Sequence, residues 1–109
     1  MLFNDALIVA AVVAATIDVP SAQMNTWLRS WIPAHCCVTN NCCFRITYRD
    51  VTSLPMDRWR INATGQELPR TGYSPDGEYW RCACDPIKGK WVVHEQAFTR
   101  CIFTPLPST

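Results

Sequence analysis

Seven cysteines in a chain of 109 residues limit what this protein can fold into more than any other feature. Cys36, Cys37, Cys42 and Cys43 form a CC-x4-CC block, and Cys82, Cys84 and Cys101 follow far along the chain. A domain this small buries a limited apolar core. Each native disulfide can add about 2–4 kcal/mol to that. The cysteine density is that of small disulfide scaffolds. Neighbouring cysteines rarely bond each other, because the ring is strained. Cys36 and Cys37 are therefore expected to reach different partners, as are Cys42 and Cys43, with Cys82, Cys84 and Cys101 as natural partners. Six of the seven are expected in bridges. Pairing six cysteines and leaving out one allows on the order of a hundred arrangements. The odd cysteine is buried and free, paired between chains, or reactive.

A metal or thiol-redox protein is the alternative, using the Cys36–Cys43 cluster with Cys82 and Cys84. Zinc sites favour cysteine and histidine ligands spaced two to four residues apart. No repeated C-x2-C knuckle and no C-x-x-C-H haem signature is present. No cofactor and no metal ligand set is therefore assigned.

The compartment follows from the N-terminus. Ala6 to Ile17 read ALIVAAVVAATI, with Thr16 the one polar residue. As a helix this run spans about 18 Å, short of a hydrocarbon core of about 30 Å. It suits the apolar region of a secretory signal peptide, with cleavage expected after Ser21 or Ala22. Asp5 precedes it where a basic residue is usual. A buried helix and an uncleaved anchor are the other readings. We read residues 1–22 as a leader and 23–109 as one cysteine-rich domain, exported to the periplasm or outside the cell. All ten basic residues and seven of the nine acidic ones lie beyond residue 22, a net charge of +3 for that part.

The remaining pattern predicts a mostly β (α+β) fold: a small disulfide-stapled antiparallel sheet of about five short strands with an N-terminal helix. Trp27, Leu28, Trp31 and Ile32 recur at helical spacing in residues 23–33, and Pro33 ends the run. CFRITYR alternates with Phe44, Ile46 and Tyr48 to one side. RWRINA places Trp59 and Ile61 inward and Arg58 and Arg60 outward. EYWRCAC, WVVH and RCIFT are the other strands. Turns are expected at Asn40–Asn41, Thr64–Gly65, Tyr73–Gly77 and Lys88–Gly89.

Three motifs carry a resemblance. They are W-x-P-x-x-CC-x4-C at Trp31, Pro33, Cys36, Cys37 and Cys42, SPDG-x-x-W-x-C from Ser74 to Cys82, and RC-x-F-x-P from Arg100 to Pro105. Together they resemble a group of small exported cysteine-containing proteins of unknown function from proteobacteria and some of their phages. That resemblance covers about residues 31–105 and implies a compartment and a scaffold, but no reaction. The extra Cys43 and the Cys82/Cys84 doublet depart from the pattern.

Signs of catalysis are sparse. G-x-S-x-G, H-E-x-x-H, P-loop and dinucleotide patterns are missing. A small hydrolase stays as a further alternative, to be recognised by a deep pocket holding His94 or two carboxylates. Cys36 beside His35 invites a nucleophile reading, but adjacent side chains seldom face each other. Arg45, Arg49, Arg58, Arg60 and Arg81 form a candidate face for an anionic partner if the strands pair, with Tyr79 as a stacking surface. Asp50, Asp57 and Glu67 are available to neutralise such a face. Asn62-Ala63-Thr64 matches a glycosylation sequon. The expected function is a non-catalytic exported module, structural or binding a protein or anionic polymer. No specific nucleic-acid signature and no transmembrane span are expected, and the odd cysteine is open to an inter-chain bridge.

Overall fold

The computed structural model describes residues 21–107. The leader, read as residues 1–22, lies outside them up to residue 20. A helix, α1 (Ser21–Arg29), leads into two three-ten turns at Ala34–Cys36 and Val38–Asn40. Nine strands follow: β1 (Cys43–Ile46), β2 (Val51–Leu54), β3 (Arg58–Ile61), β4 (Glu67–Pro69), β5 (Gly72–Ser74), β6 (Tyr79–Ala83), β7 (Asp85–Ile87), β8 (Lys90–Val92) and β9 (Thr99–Pro105). They form a four-stranded sheet in the order β1-β6-β9-β5, a three-stranded sheet β2-β3-β4, and a β7-β8 hairpin. The fold is mostly β, as expected. All pairs are antiparallel except β5 and β9, which run parallel.

The five anticipated strands are all present, and β2, β4, β5 and β7 are additional. VTSL and DPI lack the alternation that marks a half-buried strand, so nothing in their sequence announces them. The predicted CFRITYR strand is cut short at Ile46. The Thr47 side chain accepts from the Arg49 amide, and the Asp50 carboxylate accepts from the Thr47 amide at 2.8 Å, closing a capping box over the turn Tyr48–Asp50.

The four-stranded sheet is covered on both faces. On one face Cys43, Trp80, Cys82, Cys101 and Phe103 pack against Leu28, Ile32, Cys36 and Val38. The helical spacing accounts for this contact: Leu28 and Ile32 are buried, while Trp27 and Trp31 stack on Trp80 at 5.9 and 6.1 Å. Trp31 also meets Phe103 edge-on at 5.1 Å. On the other face Ile102 joins Val51, Ile61 and Leu68 of the second sheet, with Ile46, Trp59 and Tyr79 at the margin. Trp59 and Ile61 point inward as the RWRI alternation requires. Tyr79 packs edge-on against Trp59 at 6.2 Å, so it is a wall of this core and not the stacking surface anticipated for it. The two sheets are also joined by Gln66, whose amide pairs with both the N–H and the C=O of Thr99 at 2.8 Å.

Three disulfides tie the first layer together: Cys36–Cys101, Cys42–Cys84 and Cys43–Cys82. Cys43 and Cys82 are direct cross-strand partners on β1 and β6. Cys36–Cys101 joins the turn after α1 to β9. Neither doublet bonds within itself, as ring strain demands: Cys42 and Cys43 reach different partners, whereas Cys36 is bridged and Cys37, expected to find a partner of its own, is not. Cys37 is the free thiol among the described residues and is half-buried. The metal alternative loses most of its ligands: Cys36, Cys42, Cys43, Cys82 and Cys84 are all in disulfides, which leaves Cys37 of that set. The donor atoms of His35, Cys36 and Cys101 lie within 4.8 Å of one another, but both sulfurs are already bonded.

The pairing is partly redundant. With Cys43–Cys82 closed, Cys42–Cys84 closes only a ring of a few residues. Cys36–Cys101 still closes about 26 residues of chain outside that bridge. The Cys36→Ala/Cys101→Ala pair should cost about 3–4 kcal/mol by denaturant unfolding, and Cys42→Ala/Cys84→Ala clearly less. Mass spectrometry should show two hydrogens gained per bridge on reduction. One thiol should react with alkylating agent in the unfolded, unreduced chain.

Candidate functional site

Where β1 ends, the capped turn, the β3–β4 turn and the segment after β8 enclose a cavity of about 580 Å³. Phe44 and Ile46 supply its apolar wall, and Arg49, Asp50, Asn62, Arg81, His94 and Glu95 supply polar groups. Each is placed by local structure. The capping box turns Arg49 and Asp50 out of the strand line. The Asn62 amide donates to the Arg49 carbonyl at 2.9 Å and its oxygen accepts from Thr52 at 2.8 Å. The sequon asparagine is thus a brace between the turn and the second sheet.

Arg81 decides the chemistry of this site. It is directly opposite Phe44 on β1 and only 3% exposed. Its Nε donates to the Thr99 hydroxyl at 2.8 Å, and its Nη2 donates to the carbonyls of Glu95 and Ala97 at 2.9 Å. The guanidinium lies 5.7 Å from the Phe44 ring. Burial lowers its pKa from the usual value, while the charges of Glu95 and Asp50 act the other way. No carboxylate makes an ion-pair contact with it among the described residues. A guanidinium stays protonated in such surroundings, so the cavity has a cation at its edge held by neutral acceptors.

The anticipated arginine face is divided. Arg81 does not share a solvent face with the others, because β6 lies inside the sheet and the second sheet covers that side. Arg45 borders the cavity through its backbone position, but its guanidinium sits over the Trp80 ring at 5.2 Å, 4.0 Å from Asp76. Arg58 and Arg60 lie outward on β3. Arg60 pairs with Glu67 at 3.2 Å and Arg58 donates to the Glu67 carbonyl at 3.3 Å. Arg70, not singled out from sequence, pairs with Asp57 at 2.7 Å. Arg49 is left at the cavity with an exposed guanidinium, bonded to the Tyr48 hydroxyl at 3.2 Å. The structure thus brings Arg49 and Arg81 together and disperses Arg45, Arg58 and Arg60.

The acids at the cavity are unequal. The Asp50 carboxylate is taken up by the Thr47 amide and hydroxyl. Glu95 is exposed and its carboxylate has no hydrogen bond among the described residues. His94 Nε2 lies 2.8 Å from Asp85 Oδ2 and joins the two ends of the β7–β8 hairpin. The hydrolase alternative asked for a cavity holding His94 or two carboxylates, and this one holds both. Its lining has no serine, threonine or cysteine to act as a nucleophile, Asp50 is committed to a cap, and His94 is committed to Asp85. The arrangement offers hydrogen-bond donors to an anionic group more readily than it offers a proton-transfer pair.

Missed from sequence were Arg81's interior position and the service of Asn62 and His94 as braces. A signal existed for Arg81: it lies in the dense apolar run YWRCAC, flanked by residues buried on both sides. Replacing Arg81 by leucine should leave the Thr99 hydroxyl and two carbonyls without a donor. Each lost charge-assisted bond is worth about 1.5–3 kcal/mol, so unfolding free energy should fall by about 3 kcal/mol or more, read by urea denaturation. Arg81→Lys should recover only part of that, because an ammonium cannot reproduce the guanidinium fork.

No family model, curated protein or solved structure matches the chain, and the chemistry of the site rests on its own geometry.

Proposed function

We propose that this protein is an exported, non-catalytic module whose disulfide frame holds a cation-edged cavity toward an anionic group on a macromolecular partner. The observation that carries this is the Arg81 guanidinium: buried, bonded to neutral acceptors, and without a carboxylate in contact. Arg49 stands beside it with its charge open to solvent. Three other arginines of the described chain, Arg45, Arg60 and Arg70, are matched with acids. The contrast supports a cavity left available to an outside anion.

Export is supported by the apolar run Ala6–Ile17 and by three intramolecular bridges, which persist in oxidising compartments. The resemblance to small exported cysteine-containing proteins points the same way. No helix among the described residues is long and apolar enough to cross a membrane.

The test is titration of the oxidised protein with a soluble sulfated polysaccharide and, separately, with polyphosphate. Binding should weaken steadily as salt rises. Arg49→Gln should weaken it about tenfold, the scale of one charge-assisted bond. Glu95→Gln should strengthen it severalfold by removing a like charge from the rim. Affinity that is equal in wild type, Arg49→Gln and Glu95→Gln would exclude the cavity as the binding site.

A further inference from the structure

We infer that the β7–β8 hairpin is a contact finger for an anionic lipid surface. The hairpin pairs with no other strand, and an isolated two-stranded hairpin is marginal in water. This one is clamped at its base. Cys84, immediately before β7, is bridged to Cys42, and Asp85 meets His94 across the open end at 2.8 Å. Its tip is a two-residue turn with Lys88 at φ 51° and Gly89 at φ 79°, the geometry that matches strand twist.

What the clamp holds out is apolar. Ile87, Trp91 and Val92 are 46, 40 and 37% exposed. Their neighbours Lys88 and Lys90 are the only lysines of the chain, and no acidic residue lies between Pro86 and Val93. Neither lysine makes an ion pair among the described residues. Arg100 adds a third cation, 5.6 Å from the centre of the Trp91 ring.

Exposed aliphatic residues, one tryptophan and unpaired lysines on a projection clamped at its base match the chemistry of a membrane interface. Tryptophan settles at headgroup depth, lysine stems lie along apolar surface while their ammonium groups stay wet, and anionic headgroups attract each basic residue. The same charges argue against the other occupants. Lysine is depleted in protein interfaces.

Vesicles of phosphatidylglycerol with phosphatidylcholine, and of phosphatidylcholine alone, test this with the full oxidised chain. Binding should favour the anionic vesicles and fall with salt. Lys88→Glu/Lys90→Glu should weaken it at least tenfold, and Ile87→Ser/Val92→Ser should do likewise, with circular dichroism and thiol count unchanged. Tryptophan quenching by brominated lipid should drop in Trp91→Phe. Arg49→Gln should bind vesicles as wild type does, which separates the hairpin from the cavity. Equal binding to both vesicle types, or binding indifferent to the hairpin substitutions, overturns the inference. So does hairpin-dependent dimerisation in sedimentation without vesicle binding.

Discussion

The bridge between Cys43 and Cys82 joins residues that already face each other across β1 and β6, and the rest of the structure is arranged around that join. β6 and β9 are the interior strands on which both cores are built. Trp80 and Cys82 feed the core under α1, while Tyr79 and Arg81 face the second sheet. A strand of five residues cannot hold two layers by its ladder alone. Covalent cross-links tie β6 to β1, and Cys101 on β9 to the turn after α1.

The second sheet is held differently. Among its described residues there is no cysteine. Val51, Ile61 and Leu68 bury against Ile102, and Gln66 imitates a strand partner for Thr99. The two halves of the molecule thus differ in what supplements apolar burial: disulfides on the helix side, hydrogen bonding through Gln66 on the other. The candidate cavity lies at the edge of the second, where the sheets part and the capped turn closes the gap. The placement of Arg81 follows from this. A guanidinium in the seam between two layers must satisfy its donors from backbone carbonyls, and the loop 95–97 supplies them.

The N-terminal and hairpin aromatic residues show how far a tryptophan count can be read. Trp27, Trp31 and Trp80 share one cluster of ring contacts, in which Trp80 is buried and Trp27 keeps an exposed side. Trp91 sits on a clamped projection with no aromatic neighbour among the described residues, only Arg100 at 5.6 Å from its ring. A count of five tryptophans does not separate these cases, because the difference lies in what covers each ring.

Much was legible in the chain itself. The split of each cysteine doublet follows from ring strain, the helical face from the spacing of Leu28 and Ile32, and the orientation of Trp59 and Ile61 from strict alternation. The turns at Asn41, Gly77 and Gly89 follow from residues that tolerate positive φ. These are local consequences of backbone geometry, and so they are written in a few adjacent residues. Which cysteine met which, the parallel pairing of β5 with β9, and the removal of Arg81 from the solvent face were decided by tertiary structure. Alternation tells a reader that a strand has two faces and which residues share each. It carries no information about what is laid over them, and here a second sheet covered the face on which the arginine had been expected to meet water.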